Sequence, residues 1–347
     1  MTAARRPVGG GTKVAWVRDQ DAELMPVPAG EIHEHNAGDL TAVVDAGVRL
    51  SELQRLVGEA GQMLALDPPL GAEDRATLGG VVAANDSGPL RHRYGSARDL
   101  VVGITVALAD GTVAKAGGKV IKNVAGYDLA KLFTGSFGSL GTIVDLSVRL
   151  HPLPPATATA IGRSADPRAL AAAAASLSHA PLELQGLDVR WADGEGALLA
   201  RFGRADPRSP AAAAAQAMAE GSLDSEVLED DDGEWDLQRS WQRSDGRTIV
   251  RVSGVQTQLL DLLAAAQRLG GRVTGLAGLG LSWVEVGGAE DVEELRRVLA
   301  PSPCVVLDCQ PGIEIDRRGP VDAGARELMR RVKERFDPEG VCAPALS

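Results

Sequence analysis

The sequence predicts an α+β protein built as two domains, and three observations carry that expectation. Up to about residue 150, β-branched apolar runs alternate with glycine-rich turns. A proline cluster, His151-Pro152-Leu153-Pro154-Pro155, then interrupts the chain, and proline continues neither a helix nor a sheet interior. Beyond it, alanine-rich stretches flanked by leucine and methionine at helical spacing alternate with short apolar runs. A length of 347 residues is long for one core and sufficient for two.

In the first half, Leu40 to Ala46 reads as a strand. Ser51 is expected to cap a helix over Glu52 to Ala60, with Gly61 as its stop. Leu100 to Ala109 alternates and meets Asp110-Gly111, a hairpin signal, before Thr112 to Lys115. Thr142 to Leu150 is a further strand. In the second half, helices are expected over 168–178, 211–220, 256–269 and 290–299, with Asp166-Pro167 and Ser209-Pro210 as starts. Strands are expected over 182–191, 196–202, 247–253, 282–287 and 304–309. Two helix–strand groups of this kind point to a ferredoxin-like α+β cap. The acidic run Glu229 to Glu234 between them reads as a solvated loop. A last helix, Gly324 to Arg335, is expected to return to the first domain. The expected boundaries are therefore 1–152, 153–322 and 323–347.

Composition narrows the function classes. Hydrophobic residues at 44% and charged residues at 24% are those of an ordinary globular protein. A net charge of −11 disfavours general binding to nucleic-acid backbones. Three cysteines without a Cys-x-x-Cys pair give no disulfide framework, and Cys304 and Cys309 flank an apolar run as buried structural thiols would. His33-Glu34-His35 has no third ligand near it in the sequence, so a polar loop is expected there and no metal site. With no stretch of about 18 apolar residues and no signal-peptide profile, a cytoplasmic protein is expected, reaching a membrane only through partner subunits.

Glycine carries the chemistry. The chain has 41 glycines among 347 residues, above the usual share of about 7%. They gather in three segments: Gly9-Gly10-Gly11-Thr12; Ala76-Thr77-Leu78-Gly79-Gly80 on to Asn85-Asp86-Ser87-Gly88; and Gly117-Gly118 through Asn123, Gly126 and Tyr127 to Gly135, Gly138 and Gly141. Ordering glycine costs the most backbone entropy, so such density needs a reason. Turns account for single glycines. They do not account for Gly79-Gly80 between apolar residues, or for glycines at 135, 138 and 141, whereas close approach of backbone N–H groups to a phosphate does. No stretch fits the Walker A spacing, and Gly278-Leu279-Gly280 fails the Rossmann fingerprint because the chain runs on as Leu281-Ser282-Trp283.

The series Ala-Thr-Leu-Gly-Gly (76–80), Asn-Asp-Ser-Gly (85–88), Tyr94-Gly95, Asp99, Ala109-Asp110-Gly111, Lys-Asn-Val-Ala-Gly-Tyr-Asp-Leu (122–129) and Gly-Ser-Phe-Gly-Ser-Leu-Gly (135–141) resembles the FAD domain of the vanillyl-alcohol oxidase superfamily, the PCMH type. More narrowly, Lys122 to Leu129 and the short cap resemble the FAD-binding subunit of bacterial glycolate oxidase. The resemblance is dense over about 9–152 and returns at Phe336-Asp337-Pro338-Glu339-Gly340-Val341. It implies a non-covalent FAD. On the matching residues, Gly9, Gly10, Gly11 and Thr12 form the first pyrophosphate loop. Thr77, Gly79, Gly80, Asn85, Ser87 and Gly88 form a second loop near the pyrophosphate and ribityl chain. Asn123, Gly126 and Tyr127 would lie by the ring system or its chain, and Gly138, Gly141 and Ile143 would meet the adenine end. Tyr94 and Tyr127 also fit a reading as core aromatics with satisfied hydroxyls. Lys119 and Lys122 are given no catalytic role.

The chain departs from the resemblance in three ways. Relatives carry a strand–helix–strand lead-in before the first glycine loop, where this sequence starts Met1-Thr2-Ala3-Ala4-Arg5-Arg6-Pro7. Phe137 stands where a glutamate is frequent, and the chain closes on Pro344-Ala345-Leu346 instead of Pro-Gly-Arg. No histidine follows residue 179, so the clustered late histidines of 2-hydroxy-acid-oxidising subunits have no counterpart. No catalytic residue is therefore assigned. The expected function is an FAD-bearing subunit of a glycolate oxidase complex, partnered by a catalytic flavoprotein subunit and an iron–sulfur subunit. A self-sufficient FAD-dependent 2-hydroxy-acid dehydrogenase and a flavin-free interaction subunit are the alternatives.

Overall fold

The computed structural model describes residues 4–16, 22–118, 128–244, 246–310 and 314–344. The chain divides into two compact units. The first comprises 1–88, 94–153 and 321–347, and the second 89–93 and 154–320.

The first unit has a short parallel ribbon of β1 (Arg5–Val8) and β2 (Glu23–Pro26). Strands β3 (Ile32–Asn36) and β4 (Thr41–Asp45) follow, then β5 (Gln62–Met63), β6 (Val101–Ala107), β7 (Val113–Gly117), β8 (Thr142–Arg149) and β9 (His151–Pro152). Five of these form an antiparallel sheet in the order β3-β4-β8-β6-β7. The alternation predicted around Asp110-Gly111 is realised as the β6–β7 hairpin, with Gly111 at φ +83° and the Leu108 amide donating to Thr112 O. Helix 50–58 starts one residue before Ser51, with Arg49 in the cap position and no side-chain cap. A side-chain acceptor is not needed there, because the first-turn amide of Leu50 donates to Ala76 O at 2.9 Å.

The second unit holds β10 (Thr157–Ser164), β11 (Gly186–Ala192), β12 (Glu195–Gly203), β13 (Asp224–Leu228), β14 (Thr248–Ser253), β15 (Arg272–Leu276), β16 (Leu281–Val286) and β17 (Cys304–Val306). They form one sheet, β13-β10-β12-β11-β15-β16-β14-β17. Helices 167–179 and 208–220 interleave the first four strands, and helices 259–269 and 289–299 the last four. Each half is thus a βαββαβ unit with the ferredoxin-like strand order, and the halves join antiparallel through β11 and β15. The alanine runs pack as helices: Ala211, Ala214, Ala215 and Met218 are buried, and Gly162 of β10 gives Met218 room. Burial pushes the Cys304 thiol up to about 11, and Cys309 Sγ accepts from Arg317 at 3.0 Å.

The acidic run is not a solvated loop throughout. Asp232 opens a helix to Ser240, and Asp231 is buried, accepting from Thr159 Oγ1 at 2.7 Å and from Arg201 at 2.9 Å. A buried carboxylate requires such partners, and the sequence spacing of 30 and 72 residues hides them.

Helix 323–336 belongs with the first unit, its Phe336 ring meeting Phe133 edge-on at 5.9 Å. After it, Asp337 accepts from the amides of Val341 and Cys342, both at 2.8 Å, and from Lys333. Lys333 also donates to Ser139 O and Cys342 O. Arg5 of β1 pairs with this return, donating to Val341 O and accepting from Ala343. Burial alone would raise the Asp337 carboxyl; Lys333 and the two amides outweigh it and hold its pKa below the ordinary value. A carboxylate depressed on folding contributes stability above its unfolded pKa and loses it as pH falls through the lower folded value. Asp337→Ala is expected to cost about 1–3 kcal/mol in urea unfolding, and to abolish that part of the acid dependence below about pH 4. An unchanged urea midpoint would show that the C-terminal return does not hold the first unit together.

Candidate functional site

The site is a cleft within the first unit, where β1 runs into the first glycine loop. A Cβ on Gly9 would lie 2.2 Å from Thr77 Oγ1, and one on Gly10 would lie 1.6 Å from Arg75 O. Only glycine lets the loop lie this close to segment 75–77. Gly11 faces open space but takes φ +74°, a backbone that side chains resist. The amides of Gly9, Gly10 and Gly11 donate to no protein acceptor among the described residues. Successive unengaged N–H groups of this kind suit an anion.

The second glycine segment works differently. Thr77 caps helix 78–84, its Oγ1 accepting from Gly80 at 3.3 Å. The amides of Leu78 and Gly79 are already spent on Val48 O at 2.9 Å and Ala46 O at 2.8 Å. A Cβ on Gly79 would sit 2.6 Å from Ala46 Cβ, so this glycine serves close packing of helix on strand. What the segment offers a ligand is a bare surface at Thr77, Gly79 and Gly80.

The third segment is strapped to that helix from the other end. Gly135 donates to Val82 O at 3.1 Å and Phe137 to Ala83 O at 2.9 Å. These amides satisfy carbonyls that a helix C-terminus leaves open. Phe137 and Gly138 both take positive φ, and a Cβ on Gly138 would touch Pro7 at 3.0 Å. Gly141 then passes Ala107 O closely enough that a Cβ would lie 2.6 Å away.

The resulting cleft encloses about 790 Å³ with its open mouth included. Gly9, Gly10, Gly11, Thr12, Thr77, Gly79, Gly80, Gly138, Gly141 and Ile143 all line it. Asn85, Ser87 and Gly88 do not. Asn85 ends the helix in the left-handed conformation, Ser87 is buried, and Gly88 is pressed against Asp67 O. Asn123, Gly126 and Tyr127, with Lys119 and Lys122, lie outside the described residues.

Sequence reasoning missed the two charged residues of the lining, Arg6 and Lys13. Arg6 is buried and donates to Pro344 O at 3.2 Å. Lys13 lies 3.2 Å from the Asp86 carboxylate. The signal for Lys13 was its place directly after Gly9-Gly10-Gly11-Thr12. Both are cations, with Lys13 paired to Asp86, in a chain of net −11. Among the described residues, no carboxylate, histidine or cysteine lines the cleft.

The histidines lie elsewhere. His33 and His35 stand on strand β3, not in the polar loop expected from the sequence. His33 Nε2 meets Asp45 Oδ1 at 2.6 Å, and that hydrogen bond raises its pKa. His35 meets Gln62 at 3.0 Å. The strand pairing of 32–36 with 41–45 overrides the polar composition. His92, in the second unit, has its pKa lowered by burial.

Comparison with known proteins agrees with this geometry. Residues 3–117 match the family model described as FAD binding domain. The first unit carries an FAD-binding domain. Glycolate oxidase subunit GlcE of Escherichia coli is 39% identical over 126 residues, which are 36% of this chain and 36% of that protein. Glycolate oxidase subunit GlcD of Bacillus subtilis is 41% identical over 124 residues, 36% of this chain and 25% of that one. The mitochondrial D-lactate dehydrogenase [cytochrome] of Arabidopsis thaliana is 37% identical over 123 residues, 35% and 21%. The match therefore spans about a third or less of the length of these curated relatives. Among solved structures, alkyldihydroxyacetonephosphate synthase superposes with a TM-score of 0.68 at 14% identity, covering 99% of this chain and 72% of that one. That likeness shows the α+β fold. FAD is the cofactor of the domain, and the unengaged amides of Gly9 to Gly11 fit its diphosphate.

Gly10→Ala is expected to lift the loop off Arg75 and weaken FAD binding roughly tenfold or more, measured as flavin absorbance retained after desalting. Full retention would show that this loop is not the diphosphate cradle.

Proposed function

We propose that the chain is the FAD-bearing subunit of a complex that oxidises glycolate or a related 2-hydroxy acid, passing electrons through non-covalently held FAD. The observation that carries this reading is the lining of the cleft: it has the donors for a dinucleotide diphosphate, and among the described residues its charged side chains are Arg6 and Lys13. Oxidising a 2-hydroxy acid requires a base for the hydroxyl proton, and no carboxylate or histidine lines the cleft among the described residues. The base then belongs to a catalytic flavoprotein subunit, with an iron–sulfur subunit as the further partner. The names of the relatives from Escherichia coli and Bacillus subtilis, both glycolate oxidase subunits, support the assignment.

FAD bound in the cleft supplies the redox chemistry, and the protein supplies binding, orientation and electrostatics. The amides of Gly9 to Gly11 would offset the diphosphate charge. Thr77, Gly79 and Gly80 would form the wall along which the cofactor lies, and Gly138, Gly141 and Ile143 would take its adenine end. Among the described residues no histidine lines the cleft, which fits a cofactor held without a covalent bond.

A second reading is a self-sufficient FAD-dependent 2-hydroxy-acid dehydrogenase, favoured by the D-lactate dehydrogenases among the relatives. No helix among the described residues is long and apolar enough to cross a membrane. We place the subunit in the cytoplasm, meeting a membrane through its partners.

The purified chain, reconstituted with FAD, is expected to show flavin absorbance yet no glycolate-dependent or D-lactate-dependent dye reduction until partner subunits are added. Full dye reduction by the chain alone would replace the subunit reading with the dehydrogenase. A chain that takes up no flavin would defeat both.

A further inference from the structure

The ion pair between Lys13 and Asp86 has no role in the reading above, and its position gives it one. Lys13 directly follows the first glycine loop. Asp86 lies just past helix 78–84, whose opposite end, at Thr77, faces the cleft. The pair closes at 3.2 Å with both side chains nearly enclosed, 10% and 3% exposed. Asp86 is itself fixed: its amide donates to Val81 O at 3.1 Å, and its Oδ1 accepts from the Ser87 amide at 3.0 Å. The Lys13 ammonium also stands 5.8 Å from the ring centroid of Trp16, which is buried.

The loop is thus held at two points. Its beginning is pressed against Arg75 and Thr77 through Gly9 and Gly10, and its end is tied to Asp86. Between the two, the amides of Gly9 to Gly11 stay unengaged by protein. We infer that Lys13 and Asp86 are positioning residues that clamp the first glycine loop along helix 78–84, so that its amides are set for an anionic cofactor before one arrives. The inference rests on the FAD reading of the cleft. Lys13 acts on the cofactor through the carboxylate it binds, and is not a free charge reaching for phosphate. A pair this enclosed is weakly screened by salt.

The two roles separate in a double-mutant cycle. Lys13→Met and Asp86→Asn are each expected to raise the FAD dissociation constant roughly tenfold, with the double variant no worse than either single one. Lys13→Arg, which keeps the pair, is expected to stay near wild type. Flavin fluorescence quenching reads the affinity, and the thermal midpoint of the apoprotein reports folding. If Asp86→Asn binds FAD as tightly as wild type or more tightly, Lys13 contacts phosphate directly and the clamp is wrong. Additive losses overturn it equally. Should Asp86→Asn fail to fold, Lys13→Gln and Lys13→Arg decide alone: the clamp requires the first to lose affinity and the second to keep it. Wild-type protein that takes up no FAD sinks the cofactor reading and the clamp together, whereas wild-type uptake with an unaffected Lys13→Met sinks the clamp only.

Discussion

Helix 78–84 meets the turn that follows β4 through two backbone hydrogen bonds, Leu78 to Val48 and Gly79 to Ala46, and everything at the cleft is placed relative to that contact. The helix comes this near only because residue 79 has no side chain to strike Ala46. Once seated, it offers one end to the first glycine loop and the other to the third. The first loop leans on Arg75 and Thr77, and the third is strapped to Val82 and Ala83. The three glycine segments thus form one assembly around a seven-residue helix. The glycines do unlike jobs within it. Some free an amide, some admit a neighbour, and some permit a left-handed turn. Density of glycine in a sequence announces the site without telling these apart.

Much of this was legible in the sequence because the signals are local. The Asp110-Gly111 hairpin and the alanine helices follow from turn chemistry and helical spacing. Of the segments 9–12, 77–88 and 123–143 that the resemblance sets around one ligand, residues 9–12, 77, 79, 80, 138, 141 and 143 line one cleft. The rest depends on partners far away in the chain. Strand β10 follows the proline cluster and reads Thr-Ala-Thr-Ala-Ile-Gly-Arg-Ser, too small and polar to announce a strand, yet it pairs on both sides. Strand β13 is largely polar and lies at the sheet edge, where little apolar pattern is needed. Asp231 looked like one more surface acid because nothing near it in sequence reveals Thr159 or Arg201. Asn85, Ser87 and Gly88 share a motif with Thr77 and Gly79 but end the helix instead of lining the cleft.

Charge tells the same story at the cleft. A chain of net −11 shows no basic run, yet folding brings Arg6 and Lys13 to the lining and, among the described residues, leaves carboxylates out of it. Local potential at a binding site is set by a few nearby groups and the amides between them, so overall charge was a poor guide here. The cap adds a different regularity. Its two βαββαβ halves share one strand order and meet through the same strand of each half, β11 and β15, so that a single continuous sheet arises from repetition of one pattern.

The pairing of Arg5 with residues 341–343 bears on how the protein is made. Strand β1 leads into the first glycine loop, but the backbone that completes its edge is more than 330 positions downstream. A ribosome releases the cap long before it releases that closing stretch. The cap can therefore emerge well ahead of that stretch, while the edge of β1 must wait for residues 341–343. A nascent chain stalled inside helix 323–336 would carry the whole cap sequence beside a β1 whose edge is still unpaired.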